Sequence, residues 1–307
     1  MNMLLRPLLW FAARMVVWSV LALGALVFTL VIVARLDVAF FEANGMIRAP
    51  VLREAFYTQI FQIDPIFFGM LGVGFALVIG VSMLFAKSQL DYFGRLAAAF
   101  QRFASTGQVP SASQLGPFSP HVGYFFDVVA RRLNGEPSHK IQAVLAEAVR
   151  QWPRQPRISW VDQAQFMFVS GLLGLFFSAL CVVCYWKVND RVVDFANTAV
   201  RFTSNTAPQF FFHEQFQIVN MMVWAVLALT TINFAITGYK FGLQISEASY
   251  AILRDLRTFM EGDHEQRLFL RRTYPVHAFS VRINGSLDKL ADKAAKKAAQ
   301  ITRKEAA

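Results

Sequence analysis

Hydrophobic positions along the chain fall into two patterns. The first is the long uninterrupted run. Four runs, roughly residues 15–33, 65–86, 166–186 and 218–239, contain no Lys, Arg, Asp or Glu. Each approaches the ~20 apolar residues that a membrane-crossing helix needs. The first is too long for the apolar core of a signal peptide, and no small-residue cleavage site follows it. Trp18, Trp186 and Tyr239 stand near run ends, where amphipathic rings favour the membrane interface.

The second pattern is the stripe. Ile245, Ser249, Ile252, Leu256 and Phe259 recur at alternating steps of four and three, which is a heptad-like helix face. Gly262-Asp263 is a helix stop. Leu268 and Leu270 then share one face of an extended connector. Pro275 suits the first turn of a second helix, whose stripe is Val276, Phe279, Ile283, Leu287 and Leu290. A looser copy follows the second run: Phe93, Leu96, Phe100 and Phe103, a stop at Gly107, and a connector carrying Val109, Leu115 and Phe118. Pro120 then opens a helix with Val122, Phe125, Val129 and Leu133. Ser138 can cap a further helix that stops before Pro153. Trp152 and Trp160 read as interface anchors on the way back to the membrane. The tail from Gly285 keeps a thin apolar stripe, suited to extending a coiled coil, to lying on acidic lipid, or to fraying.

The layout repeats. Each half reads apolar run, segment of about 30 residues, apolar run, amphipathic segment. Phe61-Gln62-Ile63 recurs as Phe216-Gln217-Ile218, Gly107 as Gly262, Pro120 as Pro275, and Asn134-Gly135 as Asn284-Gly285. The two halves have the same orientation, so the repeat is parallel. Gly69, Gly72, Gly74, Gly80, Gly171 and Gly174 lie within runs and suit close helix packing.

Composition agrees with this picture. Of the 307 residues, 55% are hydrophobic and 16% charged, with 31 Phe, against about 25% charge in soluble domains. Disorder is excluded by the aromatic content, and a disulfide scaffold by the presence of two Cys. The net charge of +10 resolves into topology: 24 of the 30 basic residues precede the first run, separate the second from the third, or follow the fourth. The positive-inside rule then places both termini and the middle segment in the cytoplasm, with segments 36–65 and 188–217 outside. The basic residues are expected to face anionic lipid head groups, and nucleic acid is not expected as a partner. The expected fold class is all-α: a polytopic membrane protein with two hairpins (residues 1–86 and 166–239), each followed by a cytoplasmic helical pair (87–165 and 240–307).

The second helical pair resembles a HAMP domain, and the first resembles a degenerate copy. The resemblance rests on the stripe Ile252, Leu256, Phe259, then Glu261-Gly262-Asp263, then Leu268-Phe269-Leu270-Arg271, then Phe279-Ser280-Val281-Arg282-Ile283-Asn284. It implies a parallel four-helix coiled coil built from two helix–connector–helix copies, which passes motion of membrane helices into altered packing. The relay residues it points to are Ile245, Ile252, Leu256, Phe259, Gly262, Leu268, Leu270, Phe279, Ile283 and Leu287. Both copies could come from this one chain, or the bundle could close across a homodimer.

Motifs of chemistry are sparse. Cys181-Val182-Val183-Cys184 has CxxC spacing but sits within an apolar run, where packing is the simpler role. The five His are not paired at helix spacing. Asp64 and Glu214 border apolar runs as candidate ion contacts, more simply solvated. Thr230, Thr231 and Asn233 form a polar cluster in the fourth run. There is no Walker loop, GxSxG or HExxH. The expectation is a non-enzymatic signal-transducing or regulatory protein of the bacterial inner membrane, without cofactor or metal, acting on a separate cytoplasmic or membrane protein. A structural subunit of a larger complex is the alternative, and a small transporter or channel the third reading.

Overall fold

The apolar runs fold into helices far longer than a bilayer requires. A computed structural model of the chain describes residues 5–45, 53–54, 57–58, 65–115, 118–152, 160–201 and 207–305. Its helices are α1 (Leu5–Ala43), α2 (Pro65–Thr106), α3 (Ala112–Leu115), α4 (Ser119–Asn134), α5 (Ser138–Gln151), α6 (Trp160–Arg201), α7 (Ala207–Glu261) and α8 (His277–Glu305). No strand occurs among the described residues. At 1.5 Å per residue, the 55 residues of α7 extend about 80 Å, against a hydrocarbon thickness of about 30 Å. Four helices are long and apolar enough to cross a membrane: Leu5–Ala43, Pro65–Thr106, Gln163–Asp194 and His213–Glu261.

The described residues of the segments expected outside are largely helical. α1 runs on to Ala43, α6 to Arg201, and α7 starts at Ala207. Apolar periodicity ends earlier than the helices do, because helix continuation needs only backbone hydrogen bonds and no strong breaker. Asp64 lies outside the described residues.

The chain divides into two units. One holds Ala12–Ser82 and Ala164–Tyr239. Here α1 and α7 run antiparallel: Trp18 Nε1 donates to Thr237 Oγ1 at 3.1 Å, and Phe40 stacks on Phe211 at 4.0 Å. α6 also runs antiparallel to α7, with Ser178 Oγ donating to the Leu227 carbonyl at 3.3 Å. The glycines divide in a way their sequence positions did not reveal. A Cβ on Gly238 would collide with Ser170 and the Phe166 carbonyl, and one on Gly174 with Phe234. Gly74 faces Leu180, and Gly171 approaches Ala235. Gly69, Gly72 and Gly80 meet no neighbour within 4 Å, so the expected close packing fails at those three. Thr230 and Asn233 bond back to the Val226 and Leu229 carbonyls, at 2.7 and 2.8 Å. Cys181 is buried and Cys184 half-buried, and both are free thiols.

The other unit holds Met1–Phe11, Met83–Gln163 and Lys240–Ala307. Its core is aromatic: Phe93, Phe100, Phe103, Phe125, Phe126 and Phe259 are each at most 2% exposed. Two sequence expectations are corrected in this unit. Trp152 is buried at 3% exposure and donates Nε1 to the Leu253 carbonyl at 3.1 Å, so it is a core residue and not an interface anchor. Ser138 is the first helical residue of α5; the N-cap is Pro137, with no side-chain capping bond.

Candidate functional site

The two amphipathic segments pack on one another within a single chain. The C-terminal part of α2 supplies Phe93, which lies 6.3 Å from Phe279 of α8. From α4, Phe125 lies 5.8 Å from Phe259 of α7. Within the first segment, Phe100 lies 5.3 Å from Phe125 and 4.8 Å from Phe126. Each helix of one segment therefore contacts a helix of the other. A cross-segment cap joins them as well: Lys293 Nζ donates to the Ala104 carbonyl at 2.6 Å. That carbonyl belongs to the last turn of α2, where intrahelical donors run out and a cation complements the helix dipole.

Each candidate relay residue has a defined place. Ile252, Leu256 and Ile283 are fully buried, and Phe259, Phe279 and Leu287 nearly so. Ile245 is half-buried and Gly262 exposed. Leu268 and Leu270 are both buried at 4%, while Phe269 between them is 79% exposed. This alternation is what an extended connector produces.

What holds the connector was not foreseen. Asp255, 2% exposed, accepts the Phe269 amide on Oδ2 at 3.0 Å. Its other oxygen pairs with Arg254 Nη2 at 2.8 Å. From the opposite helix, Asn284 accepts the Leu268 amide on Oδ1 at 2.7 Å and returns Nδ2 to the Leu268 carbonyl at 3.0 Å. A buried carboxylate and a carboxamide thus clamp two consecutive backbone units from either side. Arg267 adds an outer tie, with Nε to Asp288 at 2.6 Å and Nη1 to the His264 carbonyl at 2.7 Å. The sequence signals were polarity inside a stripe, where Asp255 adjoins Leu256 and Asn284 adjoins Ile283, and the place of Asn284 at the end of the HAMP-like pattern.

Two histidines flank the core. His121 of α4 lies 5.6 Å from the Trp152 ring, and burial lowers its pKa from the usual 6.5. His264 lies 5.1 Å from Phe259. Burial chiefly, with help from Arg132, lowers its pKa too. Among the described residues no three His, Cys, Asp or Glu converge as a metal site would require.

The fold defines a class: an all-helical protein with four helices able to cross a membrane. Beyond that class, no family model, no curated protein and no solved structure matches the chain.

Proposed function

We propose that the chain is a non-enzymatic membrane signal-transducing or regulatory protein, in which a HAMP-like bundle relays a conformational change to a separate cytoplasmic partner. The observation that carries this reading is α7. One unbroken helix, Ala207–Glu261, contains both the fourth apolar run and the stripe that packs against α4. Its Pro208 lies in the first turn, and no Pro breaks the helix between the apolar run and the stripe, so rotation or translation at one end carries along its length. Relay also requires an element with two close-lying packings. The bundle supplies candidates in loosely shaped side chains, where half-buried Ile245 and Ser249 replace the fully buried residues found nearer Glu261.

The pairing of helices from both segments supports a bundle closed within one chain, with the two segments as copies of one HAMP-like unit. The two capping glycines add support, since Gly107 and Gly262 both have positive φ, +75° and +128°. The Asn-Gly pairs do not: Gly135 caps the end of α4, whereas Asn284-Gly285 lies inside α8. On this reading the protein is a multi-pass protein of a bacterial inner membrane with both termini in the cytoplasm, as its basic residues favour.

Purification of the intact complex in mild detergent tests the proposal. Relay predicts a dissociable partner whose capture changes when Cys residues placed at Phe125 and Phe259 are cross-linked. A permanent stoichiometric partner, indifferent to that cross-link, would replace relay with the assembly-subunit reading. Cross-links found only in covalent dimers would overturn the single-chain bundle.

A further inference from the structure

Asp37 lies in the helical extension of α1 beyond the first apolar run and is fully buried, on the face shared with Ala34, Val38 and Phe41. Among the described residues neither of its carboxyl oxygens makes a well-formed hydrogen bond. Gln215 of α7 lies within hydrogen-bonding reach of it, yet its Oε1 and Nε2 are likewise buried and make no well-formed bond among the described residues. Unpaired buried polar groups are costly, and an unpaired buried charge is costlier still. Four such atoms at one place therefore call for a ligand or a change of protonation.

Among the described residues no neighbouring charge neutralises a carboxylate. On α1 itself, Arg35 is exposed, and Glu42 pairs with Arg53 at 3.7 Å. From α6 the titratable group facing Asp37 is the Tyr185 phenol, which is neutral at physiological pH. Arg191, further along α6, has interactions of its own. From α7, His213 and Glu214 flank Gln215 but are exposed, and His213 bonds to Gln217 at 3.1 Å.

We propose that Asp37 and Gln215 form a buried proton-binding site, in which the carboxyl group is held as the neutral acid. The argument is one of valence. A carboxylic acid has one O–H donor and one free carbonyl acceptor; a carboxamide has a carbonyl acceptor and two N–H donors, of which the pairing needs one. Paired, the Asp37 O–H donates to Gln215 Oε1, and Gln215 Nε2 donates to the second Asp37 oxygen. All four orphaned atoms are then satisfied by a single proton. A metal cation satisfies three of them and leaves Nε2–H facing positive charge. A bare carboxylate leaves Oε1 without a donor. The proposal does not depend on the relay reading, because it concerns one carboxyl group and its ligand.

Infrared difference spectroscopy on the purified full-length protein tests it. Wild type minus Asp37→Asn is expected to show a protonated carboxyl C=O band at neutral pH, shifted in D₂O and unaffected by exchanging Na⁺ for K⁺. The band should persist above the pH at which exposed carboxylates have ionised. Asp37→Asn, which keeps a neutral side chain of similar shape, should melt no lower than wild type. If Asp37→Asn does not fold, wild type minus Gln215→Leu serves instead, where loss of the amide partner shifts the same band to higher frequency. Only carboxylate bands at neutral pH, carboxylate bands that move with added Na⁺, K⁺ or Ca²⁺, or no change in the carboxyl region for Gln215→Leu would each overturn the proposal.

Discussion

The two helix–connector–helix segments share a layout and differ in what fixes their connectors. Matching the core stripes residue for residue sets Phe103 against Phe259 and Val129 against Ile283. Ala99 and Ala130 then stand where the second segment has Asp255 and Asn284. Among its described residues the first connector has no such clamp; it is held by burial of Leu115 and Phe118, by the Phe93–Phe118 ring contact at 5.4 Å, and by the single turn of α3. The helix ends differ in step. The Gly107 amide reaches back four residues to the Phe103 carbonyl, whereas the Gly262 amide reaches three, to Phe259, and Asp263 reaches Thr258. Apolar burial is non-directional and tolerates small shifts of register. Hydrogen bonds to named backbone atoms do not. One segment is therefore specified by volume and the other by direction.

This contrast can be broken at graded cost. The largest effect belongs to the first segment: Phe100→Ala removes a fully buried ring and should lower stability by about 3–5 kcal/mol, read as a fall in melting temperature in detergent. Asp255→Ala comes next. It strands the Phe269 amide and should cost about 1–3 kcal/mol. Hydrogen exchange at Leu268 and Phe269 should accelerate while Gln114 and Leu115 stay unchanged; equal acceleration in both connectors would erase the distinction. Trp152→Phe deletes the bond to the Leu253 carbonyl while keeping an aromatic ring, for about 0.5–1.5 kcal/mol.

The smallest effect is in pH. His121 and His264 both have pKa values below 6.5 in the folded protein. The unfolded chain thus binds more protons as pH falls through that range. Stability is full above pH 6.5 and declines as pH drops through the folded pKa values. His121→Phe and His264→Gln should each flatten part of the decline in melting temperature, and a slope unchanged in the double variant would remove both from the account.

Much of the architecture could be read from the chain because helices and apolar stripes are written locally. The four long apolar helices followed from uninterrupted runs, and Leu268 and Leu270 from their two-residue spacing. The parts that escaped depend on partners distant in sequence. Trp152 has the composition of an interface anchor, and only its contact with Leu253, 101 residues away, makes it core. Lys293 looks like one more tail lysine until Ala104 supplies its carbonyl. Asp37 is the first acidic residue after the first apolar run, yet the helix continues and buries it. Asp255 is a charged residue one step off a stripe, and nothing local says that a connector 14 residues away will fold back onto it.

The clamp has a consequence for whatever meets this surface. Phe269 stands 79% exposed, its own amide tied to Asp255 and the preceding residue tied twice to Asn284. A loop that must be ordered on contact gives up conformational entropy at that moment. Here the backbone beneath the ring is already hydrogen-bonded in place before anything arrives. A protein landing on Phe269 keeps nearly all of the free energy gained by covering it, and Asp255→Ala should weaken such an encounter without removing a single atom of the ring.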